Sequence, residues 1–129
     1  MGEHKRCPFC NIDPEAVILK NEHCFAIFDK YPVNPGHTLI IPYRHTDSYF
    51  SLTKEEKIAI VELIDEVKRF LDKKFSPDGY NIGVNIGKWA GQTIMHVHIH
   101  VIPRYKGDTP DPTGGVRGVI PEKRNYLKR

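Results

Sequence analysis

Apolar and polar residues alternate singly through Met95-His96-Val97-His98-Ile99-His100-Val101. A period of two is that of a β-strand, whose successive side chains point to opposite faces. His96, His98 and His100 therefore form one row, and Val97, Ile99 and Val101 face a core on the other side. Residues 23–29 read as a second strand, stopped by Lys30-Tyr31-Pro32. Pro32, Asn34, Pro35 and Gly36 make a turn. Residues 37–41 follow as a strand apolar enough to be central, closed by Pro42, and these two strands are expected to pair as antiparallel neighbours. Residues 80–86 alternate as a further strand, and a loop over residues 87–91 leads into the histidine strand.

Between these strands lies a helix. Thr53-Lys54-Glu55-Glu56 is a capping box, and it opens a helix over residues 54–74. Ile60, Ile64, Val67 and Leu71 recur at helical spacing as the buried stripe, widened by Ile58, Val61 and Phe70. Ser76-Pro77-Asp78-Gly79 ends it. Strands arranged around one long helix predict an α+β fold with an antiparallel sheet. The apolar positions Ile58, Ile60, Val61, Leu63 and Ile64 cover more than one helix face, so one stripe serves the core and another calls for a partner. From Tyr105 the chain holds Gly107, Pro110, Pro112, Gly114, Gly115, Gly118 and Pro121. That tail is expected to be irregular, with Val116, Val119, Ile120 and Tyr126 docked onto something.

The chain of 129 residues fits one domain, with a core over residues 1–104 and the docking tail over 105–129. No run of eighteen apolar residues suggests a membrane span, and residues 1–8 hold no apolar export signal. Arg6 stands where an N-terminal lipidation motif wants Ser or Thr. Three cysteines, an odd number, point to a reduced cytoplasmic protein rather than a disulfide scaffold. The net charge of +3 sits largely in Lys123, Arg124, Lys128 and Arg129. No basic stripe interleaves with aromatics, so neither a nucleic-acid nor a membrane partner is expected.

A histidine row supplies metal ligands, nucleophiles or acid/base groups. Cys7-Pro8-Phe9-Cys10 is half of a metal knuckle, and zinc in a structural site takes four ligands. No second Cys-x-x-Cys exists, and Cys24 sits in an apolar strand where a free cysteine packs as core. The remaining ligands must be histidines: His4, His23, His37, His45, His96, His98 and His100 are the candidates. The competing reading is a pair of reduced or redox cysteines, for which the βαβ context of a thioredoxin-like motif is absent.

Residues 96–102 resemble the signature of the histidine triad family, His-φ-His-φ-His-φ-φ with φ apolar. Asn85, Gly91, Gln92 and Thr93 match as well, as does Asn34-Pro35-Gly36-His37-Thr38-Leu39-Ile40-Ile41-Pro42. The resemblance spans about residues 7–104. It implies an antiparallel sheet, a homodimer formed through the helix and a sheet edge, and nucleotide substrates. In the zinc-containing bacterial and archaeal branch it implies a structural zinc on Cys7, Cys10, His45 and His96. His98 is then the nucleophile that attacks the α-phosphorus and forms a nucleotidyl-histidine, provided a carbonyl holds its other ring nitrogen protonated. His100, Gln92 and Thr93 would assist at the phosphoryl or leaving oxygens, and Asn85 and Gly91 would hold the phosphate. His37 either lines the same site or merely starts a strand. Asp29 would accept from the ribose or serve as a turn residue. Phe9, Ile12 and Ile27 would sandwich the base or pack as core.

The substrate implied is a dinucleoside polyphosphate or a nucleoside phosphoramidate, with an adenylated metabolite a further option. Hydrolase or nucleotidyl transferase chemistry leads, with a phosphorylase and a non-catalytic nucleotide-binding scaffold as alternatives. Gly114-Gly115-Val116-Arg117 is similar to tails of family members that hydrolyse dinucleoside polyphosphates. Its Arg117 could reach a polyphosphate, or the segment could be a docking turn.

Overall fold

The computed structural model describes residues 5–128; residues 1–4 and 129, including the candidate ligand His4, lie outside the described residues. Five strands form one antiparallel sheet: β1 (Val17–Lys20), β2 (Cys24–Phe28), β3 (Thr38–Pro42), β4 (Gly79–Val84) and β5 (Ile99–Arg104). Their order is β1-β2-β3-β5-β4, so the last strand inserts between β3 and β4. The expected pairing of the second and third strands holds, with Ala26 opposite Ile40. β1 was not expected. Its four residues show no alternation, and it joins the edge through a bulge between Val17 and Leu19.

α1 (Lys54–Phe75) begins at the anticipated capping box, with both the Thr53 and Glu56 side chains bonded reciprocally to backbone N–H groups. It ends at Ser76, which adopts the left-handed conformation at φ 50°. Ala59, Ile60, Leu63, Val67 and Leu71 are buried against one face of the sheet, packed on Cys24, Ala26, Ile40, Val97, Ile99 and Val101. Ile58 and Val61 do not widen that stripe: they are 49% and 58% exposed. The buried arc turns through Leu63, leaving these two on the outer surface. Phe70 and Ile64 are partly buried against the core.

The opposite face of the sheet carries a second apolar cluster: Phe25, Ile27, Leu39 and Ile41, covered by Phe9, Ile12 and Cys7 from the N-terminal segment and by Ile94. Hydrophobic burial thus clamps the Cys-x-x-Cys segment onto the sheet. Gly36 shapes the β2–β3 turn at φ 89°, and a Cβ there would stand 3.0 Å from Phe75 and 3.1 Å from Pro103.

Two strand boundaries differ from expectation. β4 stops at Val84, and β5 starts at Ile99, so His96 and His98 precede the ladder. The Val97 N–H donates instead to the Thr46 carbonyl at 2.8 Å, which diverts the chain from sheet pairing. The alternation survives this: Val97, Ile99 and Val101 all point into the helix-side core. The tail is a series of 3-10 turns, and Val116, Val119, Ile120 and Tyr126 remain exposed rather than docked. Among the described residues no helix is long and apolar enough to cross a membrane.

Candidate active site and metal centre

The two histidine jobs separate spatially. Ligand atoms of Cys7, Cys10, His45 and His96 all lie within 4.8 Å of one another. The Cys7 sulfur is 3.5 Å from His96 Nδ1, and the Cys10 sulfur is 3.2 Å from His45 Nδ1 and 3.6 Å from His96 Nδ1. Zinc–sulfur and zinc–nitrogen bonds of about 2.3 and 2.0 Å at a tetrahedral angle put sulfur and nitrogen about 3.5 Å apart. The donor set therefore fits tetrahedral zinc in composition and in spacing. The outer partners fit as well. His96 Nε2–H donates to the Pro42 carbonyl at 2.8 Å, which leaves Nδ1 its lone pair for a metal.

Arg44, the residue before His45, makes a two-pronged contact with Glu56 at 3.2 and 2.8 Å. Glu56 is also the capping residue of α1, so the helix N-terminus fixes the segment that carries His45. Without metal, burial and then the neighbouring Cys7 push the Cys10 thiol up to about 11. A bound cation reverses that logic, because a coordinated thiol is deprotonated.

The second group begins at His98. Its Nδ1 lies 2.8 Å from the His96 carbonyl oxygen. A carbonyl only accepts, so Nδ1 carries the proton and Nε2 keeps an unshared lone pair. This is the tautomer a nucleophile requires. The Phe9 ring stands edge-on to His98 with centroids 5.0 Å apart, and His100 lies 5.1 Å away on the other side.

A chain of hydrogen bonds sets the state of His100. The Val33 N–H donates to His37 Nδ1 at 3.0 Å. That nitrogen must accept, so neutral His37 carries its proton on Nε2, which lies 2.9 Å from His100 Nδ1. His100 Nδ1 then accepts, and its own proton sits on Nε2. Burial, followed by the neighbouring His98 and His37, lowers His100 to about 4, and burial lowers His37 as well. At neutral pH His100 is an uncharged donor.

Asp29 Oδ2 stands 3.5 Å from His37 Nε2. Asp29, His37 and His100 thus bring three ligand-type atoms within 4.8 Å. They are poorly matched to a metal, because the Val33 amide forces the proton onto the His37 nitrogen that would have to coordinate. The remaining oxygen, Asp29 Oδ1, accepts from the Tyr31 N–H at 2.8 Å. Asp29 is therefore a turn residue that still presents a carboxylate oxygen beside His37.

The other sequence candidates distribute unevenly. Phe9, Ile12 and Ile27 come together in the cluster beside the histidines. Asn85 lies one step past the last β4–β5 pair, Val84 with Ile99, which brings it level with His98. Gly91 adopts φ 95°, and its N–H closes a turn on Lys88 at 3.0 Å. Thr93 is exposed in the same loop. Gln92 is 5% exposed, its amide nitrogen donates to the Asp47 and Ile94 carbonyls, and its oxygen accepts from the Gly87 N–H. Its amide holds the loop in this structure.

Sequence reasoning missed the Val33 amide, the Pro42 carbonyl and the Arg44–Glu56 pair. The first two are backbone groups without a side-chain signature. The third had a visible signal, a charged residue directly before a proposed ligand.

The chain is similar to known proteins in sequence and in fold. An uncharacterised HIT-like protein of Methanocaldococcus jannaschii is 40% identical over 106 residues, covering 79% of this chain and 81% of that one. The AP-4-A phosphorylase of Mycobacterium tuberculosis is 34% identical over 82% of this chain, which spans 55% of its length. The asymmetrical bis(5'-nucleosyl)-tetraphosphatase of Schizosaccharomyces pombe is 42% identical over 71% of this chain and 50% of its own. A zinc-bound histidine triad family protein from Mycobacterium smegmatis superposes with a TM-score of 0.72 at 34% identity, covering 82% of this chain and 84% of that one. The HIT domain family model matches residues 12–107. Carrying that domain over most of its length, the chain belongs to the histidine triad family.

Proposed function

We propose that this protein is a nucleotide hydrolase or nucleotidyl transferase that works through His98 on a dinucleoside polyphosphate or a nucleoside phosphoramidate. The observation that carries this reading is the His98 tautomer, held by the His96 carbonyl at 2.8 Å so that Nε2 is free to attack. In the first step His98 Nε2 bonds to the α-phosphorus, and the bond from phosphorus to the leaving oxygen or nitrogen breaks. The leaving group departs with that electron pair and takes up a proton. Water then attacks the same phosphorus, the phosphorus–nitrogen bond breaks, and a nucleoside monophosphate is released with His98 restored. Neutral His100 donates its Nε2–H to a phosphoryl oxygen during both steps, and the Val33–His37 chain keeps that proton in place.

Asp29 takes the ribose hydroxyls with the oxygen not used by Tyr31, and Phe9, Ile12 and Ile27 receive the base. Asn85, Gly91 and Thr93 surround the phosphate, with Gln92 positioning their loop. Cys7, Cys10, His45 and His96 hold a structural zinc that locks the N-terminal segment, and Phe9 with it, against the site. The exposed Ile58 and Val61 favour assembly as a homodimer.

Phosphate in place of water as the acceptor would make the protein a phosphorylase, as the name of the mycobacterial relative states for that protein. Turnover of diadenosine tetraphosphate and adenosine 5'-phosphoramidate, each with and without inorganic phosphate, tests both readings. Hydrolysis yields the nucleoside monophosphate under either condition. Phosphorolysis yields the diphosphate only when phosphate is supplied. Binding without turnover of either compound would leave a non-catalytic nucleotide binder.

A further inference from the structure

The strand registers align one row of residues across the sheet: Val17 on β1, Ile27 on β2, Leu39 on β3, His100 on β5 and Gly83 on β4. Paired residues of antiparallel strands point to the same face, and neighbouring strands lie about 4.8 Å apart. Val17, Ile27 and Leu39 belong to the apolar cluster with Phe9 and Ile12. His100 takes the fourth place. The fifth place, beside His100 on the side away from that cluster, carries no side chain.

Folding does not account for this glycine. A glycine inside a strand weakens it, through the backbone freedom it loses and the side chain it does not pack. Three internal causes would justify one: a positive φ, a bulge, or a close contact within the chain. The φ of Gly83 is not positive. The β4–β5 register runs unbroken from Gly79 opposite Arg104 to Val84 opposite Ile99, so the strand has no bulge there. A Cβ on Gly83 would meet no heavy atom within 4 Å among the described residues beyond its chain neighbours. Asn81, two residues back on the same face, differs. The tail comes down on it, and a Cβ on Gly115 would stand 3.2 Å from Asn81 Nδ2. Gly83 itself stays exposed.

A strand glycine without an internal cause marks a place where a ligand or another backbone comes close. β4 is an edge strand. A chain pairing with that edge would meet its N–H and C=O groups in the plane of the sheet and would tolerate any side chain at residue 83. The space above Gly83 is on the histidine face instead, next to His100. That placement favours a ligand.

We infer that Gly83 is a specificity-determining residue, whose missing side chain leaves the passage by which a leaving group of nucleoside-polyphosphate size clears the histidines. The inference rests on the proposed attack by His98. In that reading Phe9, Ile12 and Ile27 take the base, and Asp29, just past the end of β2, takes the ribose. The nucleoside then fills the β2–β3 side of His100. The leaving group departs from the same phosphorus, opposite His98 Nε2, over the side that remains, which is β4. Ammonia, the leaving group of adenosine 5'-phosphoramidate, needs no such room.

Gly83→Val is the test, because strands favour valine and the backbone at residue 83 accepts it. In a His98→Ala background, made to prevent turnover, calorimetric titration is expected to show diadenosine tetraphosphate weakened about tenfold more than adenosine monophosphate. In the catalytic protein, Gly83→Val is expected to lower kcat/KM for diadenosine tetraphosphate about tenfold more than for adenosine 5'-phosphoramidate, with Gly83→Ala between parent and valine. Equal effects on the large and small ligands, or none, would overturn the assignment. So would a Gly83→Val protein that unfolds at lower denaturant than the parent or differs from it in mass by light scattering, because the glycine would then serve the fold or the contact with a second copy. A parent that turns over neither compound but shows the difference in binding would refute the catalytic reading alone and leave the passage over Gly83 standing.

Discussion

Removing the metal should unfasten the N-terminal segment, and the size of the effect can be worked from the site. Cys7 and Cys10 lie on an N-terminal segment held to the sheet by the Phe9 cluster, while the His45 and His96 stretches are already joined by hydrogen bonds such as Val97 N–H to Thr46 O; the four ligand atoms tie the three stretches together. With free zinc about 1,000-fold above its dissociation constant, binding adds about 4 kcal/mol to stability. A domain of this size shifts by about 4 °C in melting temperature per kcal/mol, so zinc loss should lower Tm by about 15 °C. The assay is thermal unfolding of protein purified without added metal, before and after chelation, alongside elemental analysis. Zinc at one ion per chain, a large fall in Tm on chelation, and recovery with zinc are expected. Cys10→Ser should start near the chelated Tm and respond little to chelator. Metal-free protein whose Tm is unaffected by either chelator or Cys10→Ser would refute the zinc assignment.

The burial of His100 predicts a pH effect. Its folded value of about 4 lies below the ordinary imidazole range, so the native state resists protonation more than the unfolded chain does. The stability this represents is present above about pH 6.5 and is lost as pH falls through 4. Ring resonances of His100 in zinc-loaded protein should titrate near 4; a midpoint near 6.5 would contradict the hydrogen-bond chain. Gly36→Ala should cost about 1–3 kcal/mol by denaturant unfolding, because φ 89° and the close contacts with Phe75 and Pro103 both oppose a Cβ. An unchanged midpoint would show that the turn relaxes freely. Light scattering at micromolar concentration should give a dimer mass, and Ile58→Glu with Val61→Glu should reduce it to a monomer. A monomeric parent would remove the partner role from the outer helix face.

Much of this molecule is legible where the pattern is local. The capping box at Thr53 and Glu56, the β2–β3 hairpin and the alternation around the triad each depend on residues close in sequence. The metal cluster was legible by residue type, through half a knuckle and the resemblance that completed it. What could not be read depends on distant partners. Val17–Lys20 becomes a strand because β2 offers an edge, not because of its own alternation. Helical periodicity marks two apolar arcs on α1, but only packing against the sheet decides that Leu63 is inside and Val61 outside. The states of His100 and His37 hang on the Val33 amide, a backbone group four residues before His37 and invisible in residue chemistry. Gln92 reads by its motif as a contact to the leaving oxygen, and its bonds to Gly87, Asp47 and Ile94, which hold the loop, have no local signature.

The central claim is that His98 forms the covalent intermediate. Rapid quenching of the parent protein with diadenosine tetraphosphate under alkaline conditions, which preserve a phosphorus–nitrogen bond, followed by peptide mass spectrometry, tests it most directly. The account predicts one nucleoside monophosphoryl group on the peptide containing His98, localised to that side chain and absent from His98→Ala, which should still bind nucleotide but not turn it over. An adduct on any other residue, or turnover by His98→Ala at the parental rate, would contradict it.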